Sequence, residues 1–179
     1  GPGVGTIQPA QQDYFQATRA PGNGGFQFLV FAPSTMQEAI DMTFQAFDYA
    51  DKYRNPVMVL LDGFIGAMME PVVLPDMKSD EELVALKKAH QSWALTGREE
   101  GGKAHYVTPT GGKAISLETH NKECAEMYKG WAETEVQYAE YMMDDAEVVI
   151  AAYGISARIS ESAIDILREQ GYKVGMIRP

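Results

Sequence analysis

The run VMVLL at residues 57–61 is apolar at every position, and no other pattern in the chain constrains the fold as much. A strand with one face in water alternates polar and apolar residues; a run apolar throughout predicts a parallel strand covered by helices on both faces. Residues 26–31, FQFLVF, follow the turn-forming cluster PGNGG and read as a second buried strand, stopped by Pro33 and Ser34. Between the two, Ser34 with Gln37 three positions on has the form of a capping box, and Met36, Ala39, Ile40, Thr43, Phe44 and Phe47 recur at helical spacing. That spacing predicts a helix running to about Tyr53. It ends before Asn55 and Pro56, because the residue ahead of a proline is driven out of the helical region. Strand, helix and parallel strand make a right-handed βαβ crossover, so the expected class is α/β. Ligands in such sheets bind beyond the carboxyl ends of the strands.

The C-terminal segment repeats the theme. Residues 146–153, AEVVIAAY, read as a buried strand; Gly154 to Ser156 turn it into a helix with Ile159, Ala163, Ile166 and Leu167 on its apolar face, ended by Gly171, and residues 173–177 read as a parallel strand. Between the two units, residues 64–77 carry Pro71 and Pro75 and predict an extended connector, followed by a short helix capped by Ser79 or Asp80 with Trp93 near its end. Residues 96–112 read as a surface loop. Leu117, Cys124, Trp131 and Tyr138 lie seven apart, with Met127, Thr134 and Tyr141 trailing at the same interval. This predicts one amphipathic helix of roughly 40 Å.

Composition narrows the chemistry. A formal net charge of -10, spread along the chain, offers no basic patch for phosphate neutralisation and argues against nucleic-acid binding. The single cysteine, Cys124, supplies neither a disulfide nor the thiolates of an iron–sulfur cluster, so any cluster sits on another chain. His90, His105 and His120 match no metal-ligand spacing. Residues 111–113, GGK, lack the first glycine of a phosphate loop and have Ala114 where a magnesium-binding hydroxyl is required. Ser156 at a helix start reads as an N-cap and also as an anion site. Asp62 and Glu70 lie near a strand end, where carboxylates can act in catalysis; a turn-forming Asp-Gly and a surface glutamate need no such role.

The loop GPGVGTIQPAQQDYFQ at residues 1–16, ADKYRNPV at 50–57 with Asp62-Gly-Phe and MMEP at 68–71, and residues 146–179 together resemble the alpha subunit of the 2-oxoacid:ferredoxin oxidoreductases, most closely the 2-oxoisovalerate branch. The chain opens without methionine inside this loop and stops just after a strand, so it reads as an internal piece of a longer protein. The resemblance implies three parts: 1–76, the C-terminal half of a domain binding the pyrimidine end of thiamine diphosphate; 77–144, linker helices and a loop; and 145–179, the opening βαβ of a domain like the C-terminal domain of transketolase.

The same resemblance implies oxidative decarboxylation of a branched 2-oxoacid to acyl-coenzyme A with reduction of ferredoxin. Thiamine diphosphate and magnesium would be held largely by the missing part and a beta subunit. Iron–sulfur clusters would sit on other subunits, and gamma- and delta-type subunits would complete a cytoplasmic complex that self-associates through the alpha subunit. No catalytic residue is expected in this piece, which alone would be inactive. Gly3, Val4, Thr6 and Gln8 form the implied substrate loop, where glycines let backbone approach a ligand and Val4 and Gln8 face the substrate side chain. Read from the residues alone, a non-catalytic α/β nucleotide-binding or interaction module remains the alternative.

Overall fold

The computed structural model describes residues 13–19, 25–95, 106–107 and 117–179. In chain order the elements are α1 (Tyr14–Thr18), β1 (Leu29–Phe31), α2 (Met36–Tyr53), β2 (Val57–Val59), α3 (Gly63–Ala67), α4 (Asp80–His90), α5 (Leu117–Thr134), β3 (Ala139–Tyr141), β4 (Val148–Ala151), α6 (Gly154–Glu169) and β5 (Val174–Arg178). Strands β1 and β2 pair in parallel with Leu29 opposite Val57, and α2 connects them, so the expected α/β unit is present. The second sheet has the order β3-β5-β4, with β5 parallel to β4 and antiparallel to β3.

Helix α2 starts one residue later than its sequence suggests. Thr35, not Ser34, is the N-cap, accepting from the Glu38 backbone N–H at 3.1 Å. The pattern S/T-x-x-E/Q fits both registers, and Ser34 is instead drawn inward, where it is buried. Only Ala39 of the expected apolar face is buried, while Phe47 is exposed. Arg54 ends the helix in the left-handed conformation, with its N–H donating to Ala50 and Asp51 carbonyls.

Three further expectations need correction. The stretch after β2 begins with a helical turn, α3, because the Asp62 carboxylate caps it through the Phe64 and Ile65 N–H groups at 3.0 and 2.8 Å; only then does it become extended. The long helix stops at Thr134, about 27 Å from its start by the rise per residue. Glu135 is drawn to Lys52 at 2.8 Å and to the Tyr53 hydroxyl, while Trp131 packs edge-on against Tyr53. Tyr141 consequently lies in β3 and Tyr138 just before it. Strand β4 is an edge strand among the described residues rather than a buried one, with Val148 and Val149 exposed.

Ser79 caps α4 in a full capping box with Glu82, and Trp93 lies beyond the helix end, donating its ring N–H to the His90 carbonyl. The C-terminal core is Ala152, Ala157, Ile164, Val174 and Met176, with Tyr141, Ile150 and Leu167 against it. Helix α6 therefore turns Ala157, Ile164 and Leu167 inward; Ile159, Ala163 and Ile166, expected on that face, are exposed. Gly171, at φ +88, follows the C-cap as expected. No described helix is long and apolar enough to cross a membrane.

Candidate functional site

Strands β1 and β2 direct their carboxyl ends toward the start of α6, and the residues between them form a polar clasp. At its centre is Asp62, just past β2. One carboxylate oxygen, Oδ1, accepts from the N–H groups that open α3; the other, Oδ2, accepts from the Ile155 N–H at the start of α6, at 2.8 Å. A single side chain thus satisfies donors at two helix N-termini, where its negative charge is favoured. Such closeness requires glycine at 154: its φ is +59, and a Cβ there would stand 2.8 Å from Asp62 Oδ2. Ser156 is accordingly not the cap of α6. The N-cap is Tyr153, which makes no side-chain capping bond, and Asp62 does that work from another element.

On one side of Asp62, Arg178 at the end of β5 grips the start of α2. Its guanidinium donates to both oxygens of Glu38, at 2.6 and 2.7 Å, and to the Ser34 hydroxyl at 2.7 Å. This bidentate geometry is the strong form of carboxylate recognition. Burial acts to raise the Glu38 pKa, but the Arg178 and Ser34 hydrogen bonds overcome it and hold the carboxyl down to about 2. On the other side, Arg158 of α6 donates to Glu70, which also accepts from the Met36 N–H at 3.3 Å. The Arg158 hydrogen bond holds the Glu70 carboxyl below the ordinary glutamate range.

Beyond the strand ends lies a cavity of about 120 Å³ lined by Tyr14, Thr18, Val30, Ala32, Leu60, Tyr153 and Pro179. It sits where ligands bind in parallel sheets. The rings of Tyr14 and Tyr153 lie 6.1 Å apart, bringing the first helix and the start of the last against one another. Burial, then the charges of Asp13 and Asp62, push the Tyr153 phenol up, so it stays protonated near neutrality.

Of the residues singled out from sequence, Asp62 and Glu70 both reach α6, Asp62 by capping at Ile155 and Glu70 by pairing with Arg158. Gly3, Val4, Thr6, Gln8, His105 and the GGK motif at 111–113 lie outside the described residues. Cys124 and His120 share the outer part of α5, 3.6 Å apart, far from the strand ends in sequence. Nothing in the sequence marks Arg158 and Arg178, because their partners lie 88 and 140 positions away. Among the described residues no group of three or more His, Cys, Asp or Glu side chains could hold a metal ion.

A parallel βαβ unit thus meets, at its strand ends, the start of a second α/β unit. The family described as "Pyruvate flavodoxin/ferredoxin oxidoreductase, thiamine diP-bdg" matches residues 1–150, and "Pyruvate:ferredoxin oxidoreductase core domain II" matches 146–179. The chain belongs to the pyruvate flavodoxin/ferredoxin oxidoreductase family, through its thiamine diphosphate-binding domain.

Among individual relatives it is similar to ketoisovalerate oxidoreductase subunit VorB of Methanothermobacter marburgensis, at 42% identity, and of Methanothermobacter thermautotrophicus, at 44%; each alignment covers 100% of this chain and 49% of the relative. 2-Oxoglutarate synthase subunit KorA of Methanocaldococcus jannaschii is 32% identical over 99% of this chain and 53% of that protein. The chain spans about half the length of the curated relatives it matches. In structure it resembles the 2-oxoglutarate:ferredoxin oxidoreductase from Magnetococcus marinus with 2-oxoglutarate, coenzyme A and succinyl-CoA bound, with a TM-score of 0.66 at 20% identity, over 100% of this chain and 35% of the other; this likeness bears on fold. The resemblance to 2-oxoacid:ferredoxin oxidoreductases drawn from the sequence motifs is thus borne out, and so is the α/β class.

The cavity at the strand ends does not by itself fit thiamine diphosphate. At about 120 Å³ it is smaller than the ~300 Å³ at which small-molecule pockets begin, and the clasp guanidiniums of Arg158 and Arg178 are paired with Glu70 and Glu38.

Proposed function

We propose that the chain serves as part of the alpha subunit of a thiamine-diphosphate-dependent 2-oxoacid:ferredoxin oxidoreductase, which decarboxylates a branched-chain 2-oxoacid oxidatively to its acyl-coenzyme A and reduces ferredoxin. The observation that carries this reading is the 42–44% identity to ketoisovalerate oxidoreductase subunits along all 179 residues. The reading divides the chain at 76 and 144. It also assigns magnesium to a beta subunit and iron–sulfur clusters to other subunits, consistent with a chain whose single cysteine cannot ligate a cluster. Beta, gamma and delta-type subunits, self-association through the alpha subunit and a cytoplasmic, anaerobic setting belong to the same proposal. Gly3, Val4, Thr6 and Gln8 are its substrate loop, and the isolated chain is expected to be inactive.

The test is to recover the native complex anaerobically through a tag on the complete gene. Coenzyme-A-dependent viologen reduction is then assayed with 3-methyl-2-oxobutanoate, pyruvate and 2-oxoglutarate. Reduction that requires thiamine diphosphate and is fastest with the branched acid is the expected result. No reduction with any of the three would overturn the reading.

A further inference from the structure

The cavity beyond β1 and β2 has the size and lining of a seat for a small aliphatic group. Its volume of about 120 Å³ approaches that of an apolar protein cavity of about 150 Å³ that holds benzene. Val30, Ala32, Leu60 and Pro179 supply aliphatic surface, Tyr14 and Tyr153 supply rings, and the Thr18 hydroxyl is already engaged with the Tyr14 carbonyl at 2.8 Å. None of the described lining side chains carries a charge at neutral pH; the Tyr153 phenol, pushed up first by burial, stays neutral. Aliphatic and ring surface of this kind favours a branched hydrocarbon, which gains by leaving water.

Two of the lining residues also lie close in sequence to one shared anchor. Leu60 lies two residues before Asp62, and Tyr153 two residues before Ile155, whose N–H the same carboxylate holds at 2.8 Å. One lining residue from each α/β unit thus lies two positions from a group held by the same side chain.

We infer that this cavity receives the branched aliphatic side chain of the 2-oxoacid, with Ala32, Leu60 and Tyr153 as specificity-determining residues. The inference rests on the oxidoreductase reading above and places part of the selectivity outside the substrate loop. Filling the cavity disfavours the branched acid; enlarging it favours a longer one.

Ala32→Leu and Leu60→Ala, each introduced into the complete complex, separate these effects. Ala32→Leu adds three carbons and is expected to lower the kcat/KM ratio of 3-methyl-2-oxobutanoate to pyruvate at least about tenfold, since one methylene in a hydrophobic pocket is already worth about that much. Leu60→Ala is expected to raise 4-methyl-2-oxopentanoate relative to 3-methyl-2-oxobutanoate by a similar factor. Ratios measured on one preparation cancel any loss of assembled enzyme. If both ratios stay within about twofold of wild type while the wild-type complex reduces viologen normally, the cavity assignment is overturned. A wild-type complex that reduces nothing with any 2-oxoacid overturns the oxidoreductase reading itself.

Discussion

Two parallel strand–helix–strand units occur in this chain, and they bury themselves very differently. In the C-terminal unit the central strand β5 has neighbours on both edges, and its first three residues, Val174, Gly175 and Met176, are buried. In the N-terminal unit β2 pairs only with β1 among the described residues, and Val57, Met58 and Val59 are half-buried. In sequence the β2 run is the more apolar of the two, yet it is the less buried. What separates them is whether a strand lies on each side, and β3, joining antiparallel, supplies the C-terminal unit with its second edge. The N-terminal unit obtains order from its polar links to α6 and β5 instead.

The largest contrast is expected in the cores. Ile164→Ala, at a fully buried position, should cost about 3 kcal/mol of unfolding free energy, whereas Met58→Ala, half-buried, should cost about 1 kcal/mol. Urea unfolding of both variants measures this, and equal losses would break the comparison.

Next in size is the Arg178–Glu38 pair, which is mostly buried and bidentate. Arg178→Met should cost about 2 kcal/mol, because it leaves Glu38 without its partner. Since the folded Glu38 carboxyl is depressed from 4.5 to about 2, its contribution is complete above its unfolded value and is lost as pH falls through the folded one. The wild-type chain should therefore lose stability between about pH 5 and pH 2, and the Glu38→Gln variant should lose less over that window.

Smaller again, Gly154→Ala should cost about 1.5 kcal/mol, from a left-handed backbone and a displaced Asp62. The smallest effect is expected from Gln37→Ala. The Gln37 side-chain amide pairs with both the N–H and the carbonyl of Val73, at 2.7 and 2.9 Å, holding the connector extended. Its loss should cost about 0.5–1 kcal/mol globally. Hydrogen exchange at Val73 should quicken while that of β5 stays unchanged.

The βαβ unit of residues 26–61 is legible in the sequence because local signals agree: an apolar run, a helical repeat and a proline stop. The register of the α2 cap is not, since Ser34–Gln37 and Thr35–Glu38 satisfy the same pattern and Arg178, far along the chain, draws Ser34 and Glu38 together. The overlong helix fails for a related reason. The heptad spacing continues to Tyr138, but Lys52 and Tyr53 claim Glu135 and end α5 at Thr134. Periodicity records which face a residue would take if the helix continued; it carries no record of a distant side chain that stops it.

At the candidate site, Asp62 and Glu70 are visible as acids near a strand end. Their arginine and helix-terminus partners are not, because spacing within a segment says nothing about pairing between segments. Likewise the apolar run of β4 predicts burial that an edge position does not provide.

The fit between Asp62 and Gly154 has a further consequence for how such sequences can drift. An alanine at 154 is accommodated only if the acid at 62 retreats, and a retreating acid releases the first turns of α3 and α6 together. Each position sets the terms on which the other can change, so a tolerated replacement at one is expected only in company with a replacement at the other. Two sites separated by about half of the chain thus behave, under mutation, as one heritable character.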